Sequence, residues 1–408
     1  MESTQPQTYL ANMKQIIQSI PLILIPVPFL IYLLTVRYLR FNNVRKLERR
    51  YAKYLNDPYS MDYKTAFEIM KVTMLRDVPF MFLFGTQWAL IKSYGIASGT
   101  KLLVQTGRLT NKAIVGKRSE DTGALLGEIL FESIDSERGL LAMSKINWIH
   151  ARYGSKITND ELIHTLALFV LEPHRWVDTF DWRPLTKLER VAHFIYWKEI
   201  GNRMGMQGIP PTLEDLQTWT VEYEKTAMRY ADSNRKCYDA TVSLFLKGVP
   251  SFLLPFMEKV SSCFLEDYVR DTMGVPHPPK WLQSTVDGFF LFRGWLLRHF
   301  FLPRFKEFNM GIYKASNGRW KRTKFVFEPW YVEETIWSNL QRRLGLSNPT
   351  RTPGPEYMSE GFLPEELGPI EYIEKSRTPV LEQAKHMKSY AEQGGAVGMG
   401  CPFMLART

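Results

Sequence analysis

The chain of 408 residues carries 52 Lys and Arg against 42 Asp and Glu, a net charge of +10, and 45% of its residues are hydrophobic. Such a chain can bury a core large enough to offset its ordering entropy, which excludes global disorder. The basic excess forms no zinc-finger spacing, RNP-like aromatic run or long Lys/Arg tract, so nucleic acid is not the expected partner; much of it borders an apolar segment, which favours a membrane surface.

Residues 1–15 form a short N-terminal segment, and a transmembrane anchor is expected over 16–37. The uncharged run IPLILIPVPFLIYLLTV (20–36), extended back through Ile16 and Ile17, reaches about 20 residues, enough for ~30 Å of hydrocarbon. Pro21, Pro26 and Pro28 predict a kink in that helix. Only Lys14, opposed by Glu2, precedes the run, whereas Arg37, Arg40, Arg45, Lys46, Arg49, Arg50 and Lys53 follow it, opposed by Glu48 alone. These flanks argue against a cleaved signal peptide and place the bulk of the chain in the cytosol. A buried core helix is the alternative reading of the run.

A basic juxtamembrane linker or helix follows over 38–64, then a catalytic domain over 65–345. Two helical patterns break near Asp77-Val78-Pro79, because proline forces its predecessor out of the helical region. Thr158-Asn159-Asp160-Glu161 and Thr186-Lys187-Leu188-Glu189 are capping boxes, and Pro211-Thr212-Leu213-Glu214-Asp215 opens a further helix. Pro173 is expected to stop the helix begun at the first box. Phe289–Phe305, apolar but carrying Arg293, Arg298 and Arg304, suits either a helix at a membrane interface or a core helix with surface arginines. Alternating patterns are scarce, although the arm Thr323–Val332 could pair briefly. The expected fold is therefore all-α. From 346 to 408 prolines and glycines cluster, which predicts an extended, partly disordered tail or a tail wrapping the domain.

The chain lacks GxGxxG, Walker, GxSxG and HExxH motifs. Cys237, Cys263 and Cys401 are far apart and in no CxxC, which argues against a disulfide framework. Cys401 has too little chain after it for a thiolate-haem fold. No pair of the seven histidines has the i,i+4 spacing of a helical metal site, and carboxylates do not gather round them in sequence. His150 shares a helical face with Met143, Ile146, Asn147 and Tyr153. One imidazole on an apolar stripe suits a proximal haem ligand, and it suits an ordinary core histidine as well. In KRSEDT (117–122), Arg118 and Thr122 lie one turn apart. They suit a haem propionate or bound oxygen, or else a solvated helix start.

Taken together, KRSEDT, INWIHARYG (146–154), LIHTLALFVLEPHRW (162–176), DWRPLTKLE (181–189) and WKEIGNRMGM (197–206) resemble the MpaB/rubber-oxygenase family, in particular its fungal ER-bound branch. The resemblance covers roughly 65–335. It implies a globin-like multi-helix domain, a b-type haem (iron) held by one histidine matching His150, and oxidative cleavage of an isoprenoid double bond by dioxygen. It also implies an endoplasmic reticulum membrane location, single-pass with the catalytic domain cytosolic, and a hydrophobic, prenylated substrate such as a meroterpenoid secondary metabolite. On that reading Arg118 and Thr122 anchor or polarise, Asp121 serves as a base, and Arg152 and Arg183 meet propionates. One departure stands out: the family's distal lysine is replaced by Asp121, and its distal glutamate has no counterpart between Asp77 and Glu120. A non-haem or cofactor-independent enzyme on the same fold, and a membrane-tethered binding protein without turnover, remain alternatives.

Overall fold

The computed structural model describes residues 26–309, 311–348 and 351–394. Helix α1 (Pro26–Arg40) leads into α2 (Asn42–Arg50). Pro26 and Pro28 fall in the first turn of α1, where a missing N–H costs nothing. Pro21 and the rest of the expected anchor before residue 26 lie outside the described residues. Among the described residues, no helix is long and apolar enough to cross a membrane.

Helices α3 (Tyr63–Val72) and α4 (Pro79–Lys92) flank a π turn, Thr73–Asp77, at the break that the Asp-Val-Pro sequence foretells. The remaining helices are α5 (Ala97–Gln105), α6 (Val115–Leu130), α7 (Glu137–Ala151), α8 (Asn159–Phe180), α9 (Lys187–Arg203), α10 (Leu213–Ala227) and α11 (Asp232–Phe245). After them come α12 (Leu254–Ser262), α13 (Asp267–Met273), α14 (Lys280–Phe300), α15 (Ile336–Arg343) and α16 (Ile373–Glu392). The fold is thus mostly helical. One two-stranded antiparallel hairpin, β1 (Ile312–Lys314) with β2 (Trp320–Arg322), interrupts it.

Helix α8 is the axis of the core, with α4, α9, α10 and α14 packed round it. Both expected capping boxes form: Thr158 and Thr186 accept from the N3 backbone while Glu161 and Glu189 reach back. Pro173 does not end α8, which runs seven residues further to Phe180. Tertiary packing overrides the proline here. Trp176, Val177 and Phe180 are buried anchors beyond it, and the proline ring sits against α4 at Gly85, where a Cβ would lie 2.7 Å from the Pro173 Cα. The burial of three large apolar side chains, each worth about 1.5–3 kcal/mol, outweighs the ~3 kcal/mol that an interior proline costs.

Helices α6 and α7 form an antiparallel hairpin, and α16 packs along α7. The segment beyond 346 is therefore not only extended chain: it ends in a 20-residue helix. Ser376, Val380, Gln383, Ala384 and Met387 are buried on it, and Ser376 accepts from the Lys145 ammonium on α7 at 2.6 Å. Residues 351–394 act as a strap across the hairpin.

Candidate functional site

Helix α6 presents two different faces. Lys117, Glu120 and Asp121 are buried on one. Glu120 pairs with Arg322 at 2.5 Å, and its other oxygen accepts backbone N–H bonds from Val326 and Phe327 at 2.8 and 2.6 Å. The arm Thr323–Val332 is thus held by a carboxylate seated in its backbone amides. Among the described residues, strand pairing of the arm is confined to one bridge, Val332 with Arg322. Asp121 accepts from Lys117 at 2.6 Å, from the Tyr331 hydroxyl at 2.5 Å and from the Gly368 N–H at 3.1 Å. Lys117 also donates to the Gly368 carbonyl at 2.8 Å. Tyr331 adopts a left-handed φ of 66°, a conformation that costs a non-glycine residue energy and that these bonds enforce. Burial raises the Asp121 carboxyl above the usual range, and Lys117 opposes that push.

Arg118 and Thr122 lie on the other stripe and are half-buried. The Thr122 hydroxyl donates to the Arg118 carbonyl at 2.8 Å, so only its lone pairs face outward. The Arg118 Nη1 is buried and has no hydrogen-bond partner among the described residues. Its charge reaches Tyr94 and Cys237, both buried, and opposes the upward push that burial gives each group; the Cys237 thiol still stands at about 11. A buried guanidinium donor left unfilled is costly, by roughly 1–3 kcal/mol or more; Arg40, Arg76, Arg138, Arg270, Arg293 and Arg322 each leave one as well, and Arg118 is set apart by standing at the hairpin end that carries His150. Cβ atoms built at Gly123, beside Thr122, and at Gly99 on α5 would meet nothing within 4 Å.

The hairpin brings His150 into this neighbourhood. Arg118 is the fourth residue of α6 and His150 the penultimate residue of α7, so both stand at the end of the hairpin remote from its connecting turn. His150 is half-buried and Met143 and Asn147 on its stripe are buried; Ile146 and Tyr153 are half-buried. Asn147 donates to the Arg203 carbonyl at 2.8 Å, which fixes the rotation of α7.

The other residues singled out in the sequence sit elsewhere. Asp121 shares the motif with Arg118 but faces the strap, with both oxygens engaged. Arg183 is spent within the core, its guanidinium bonded to Asp77, Glu189 and the Pro184 carbonyl. Its five donors leave none for a propionate. Arg152 is exposed and stacks over Tyr372 at 3.7 Å, at the end of α7 that carries His150.

Sequence spacing missed two histidine arrangements. His193 and His174 meet at 3.0 Å, and the Trp197 indole donates to the far nitrogen of His193 at 2.8 Å. Burial pushes His193 down to about 3 and His174 well below its usual range, so both are neutral core groups. Carboxylates do gather round two others: His164 bonds Glu224 at 3.0 Å, and exposed His277 lies between Asp267 and Asp271. Among the described residues no cluster of three or more His, Cys, Asp or Glu side chains could hold a metal ion.

The family described as ER-bound oxygenase mpaB/B'/rubber oxygenase, catalytic domain, matches residues 73–298, a span that includes Arg118, Thr122 and His150. The ER-bound oxygenase mpaB' of Penicillium brevicompactum is 28% identical over 386 residues, covering 89% of this chain and 91% of that protein. The ER-bound oxygenase mpaB of Penicillium roqueforti (strain FM164) is 32% identical over 257 residues, 59% of this chain and 86% of that protein. The mpaB protein of Penicillium brevicompactum is 32% identical over 238 residues, 54% of this chain and 61% of its own.

Proposed function

Because the chain belongs to the MpaB/rubber-oxygenase catalytic-domain family, we propose that it is an endoplasmic-reticulum-bound oxygenase that cleaves a carbon–carbon double bond of a prenylated or other hydrophobic molecule with dioxygen, using haem b held by His150. The observation that carries this reading is the buried, unfilled Arg118 Nη1 at the end of the α6–α7 hairpin where His150 also stands.

The donor set fits such a group. His150 would hold the group through its imidazole, and Arg118 offers a cation whose Nη1 is not engaged by the fold. A haem bound there supplies the one-electron chemistry that lets dioxygen react with an alkene. Arg118, desolvated and rigid on its helix, donates to whichever oxygen develops negative charge, where fixed donors are worth most. Thr122 accepts but does not donate, so it orients a hydroxyl or water beside that guanidinium. Arg152 has exposed donors at the same helix end for a propionate. Asp121 is a clamp for the strap, and the proton-handling group of this site is neither that carboxylate nor a lysine at its position.

The segment 16–37, uncharged as far as Val36, serves as a single membrane anchor, with the domain on the cytosolic side as the basic residues from Arg37 onward require. A substrate that dissolves in lipid is then concentrated where the enzyme sits.

The test is an absorption spectrum and iron assay on the detergent-purified full chain, followed by dioxygen uptake with prenylated test compounds. A Soret band that disappears in His150→Ala, with iron, supports the reading. Turnover with neither iron nor a Soret band overturns the haem assignment and favours a cofactor-independent oxygenase. A haem-loaded protein that consumes no dioxygen with any prenylated compound overturns the activity.

A further inference from the structure

Helix α1 is exposed on nearly all sides. Phe29, Leu30, Ile31 and Leu34 are each more than half exposed, and only Leu33, Val36, Leu39 and Arg40 are covered to any degree. A helix apolar all round and uncovered is not a water-facing element.

Its neighbour is α14. The Tyr32 hydroxyl donates to the Phe300 carbonyl at 2.8 Å. At the other end of α1, Arg40 lies within electrostatic range of Arg293 and Asp181. Arg40 also donates to the Leu302 carbonyl at 3.2 Å, and Arg298 lies over the Phe41 ring at 5.6 Å, so α1 packs along its length against the C-terminal end of α14 and the residues just after it. The body of α14 is fixed to the domain: Gly294 packs on the end of α8, where a Cβ would lie 2.8 Å from the Phe180 carbonyl, and Arg293 faces Asp181 at 3.9 Å. The outer stripe of α14 around that point is about half exposed. Phe292 is 56% exposed and Trp295 49%, and Phe301 continues the stripe at 52%.

We propose that the protein holds its membrane through a composite surface, in which the outer face of α14 and the residue after it (Phe292, Trp295, Phe301) enters the bilayer interface alongside α1. Three observations select lipid as the occupant. The uncharged apolar run 20–36 continues through α1 as far as Val36, so whatever solvates α1 also reaches the neighbouring α14 turns. Exposed Arg298 and Arg304 border the stripe, and exposed Arg37 lies in the last turn of α1, an arrangement that suits anionic headgroups. Tryptophan at an apolar–polar border is the residue type that bilayer interfaces favour. The inference rests on the membrane-anchor part of the reading above and is independent of haem and of turnover.

The experiment uses the full chain in nanodiscs of phosphatidylcholine with phosphatidylserine. Cys401 is replaced by Ala, since Cys237 and Cys263 are buried. Single spin labels are placed by Leu30→Cys, Phe292→Cys, Trp295→Cys and, as a water-facing control on α10, Glu222→Cys. The expected result is an oxygen-to-nickel collision ratio several-fold higher at 30, 292 and 295 than at 222. Labels at 292 and 295 that match 222 while 30 remains lipid-like overturn the composite surface and leave an anchor alone. A label at 30 that also reads as water overturns the anchor itself. Distances showing two copies paired through 292 overturn lipid in favour of self-association. Because one label at a time is introduced into a folded chain, no outcome depends on a charge substitution that might unfold α14.

Discussion

The two faces of α6 divide the labour of a single six-residue motif. Lys117, Glu120 and Asp121 are wholly satisfied, and their partners Arg322, Tyr331 and Gly368 lie beyond the matched span 73–298. Arg118 and Thr122, one residue away in sequence, are half-buried and leave a guanidinium nitrogen unfilled. The closed face is a fastening for a segment outside the matched domain; the unfilled face is a place for a guest. Charge density in sequence does not separate the two, because both stripes are equally polar. Hydrogen-bond completeness does.

That contrast can be broken most forcefully on the closed face. Glu120→Ala strips Arg322 and the three backbone amides of Val326, Phe327 and Glu328 of their acceptor, and leaving a buried charge unpaired costs about 3–5 kcal/mol. Chemical denaturation of the purified variant is expected to show a loss of that size; a change below about 1 kcal/mol would mean that the arm Thr323–Val332 is not fastened there.

On the other face the expectation reverses. Arg118→Gln is expected to leave the unfolding midpoint nearly unmoved while lowering turnover about 100-fold, the size of a lost oxyanion-type donor. A variant that unfolds like Glu120→Ala, or that turns over normally, removes the distinction between the stripes.

Acid supplies a reference on neither face. Burial opposes ionisation of Glu189, but the Arg183 guanidinium, the Thr186 N–H and the Thr73 hydroxyl together hold its carboxyl below the usual range. Its folded value is depressed, so its stabilisation is present above the unfolded value, roughly pH 4.3, and is lost as pH falls through the lower folded value. Denaturation midpoints between pH 6 and pH 3 are expected to fall, and Glu189→Gln to flatten that fall. An unchanged slope would mean that the ion pair does not form.

The smallest effect is expected at Thr122→Val, which keeps the shape and removes an oxygen that donates only to its own helix. Stability is expected to change by less than about 0.5 kcal/mol, with any kinetic effect confined to the affinity for substrate. A loss of turnover as large as that of Arg118→Gln would give Thr122 a direct chemical role.

Local chemistry was readable from sequence wherever it was local. The capping boxes at Thr158 and Thr186 and the break before Pro79 need only neighbours a few residues apart. Pro173 was misjudged because its compensation comes from α4, 80-odd positions away in the chain. Of the six site residues, spacing and resemblance group Arg118, Thr122 and His150; the hairpin sets Arg118 and His150 at one end, with Thr122 one turn inward. Asp121 and Arg183 could not be separated from them, since nothing in KRSEDT or DWRPLTKLE announces that Gly368 or Asp77 will claim those side chains. The paired histidines 174 and 193, and the strap helix α16, depend wholly on packing at a distance.

The fastening at Asp121 has a consequence for biosynthesis. Its partner Gly368 is 247 residues later, so at 5–20 residues per second the ribosome needs roughly 12–50 s to deliver it. Glu120 waits for Arg322 and the amides of Val326 and Phe327, and the Lys117–Asp121 pair waits longer, for Gly368, so the helix that bears them stays half-assembled in the meantime. A nascent chain cut short before the strap would leave the hairpin without its clasp, so the cell could discard truncated copies before they gained a finished pocket.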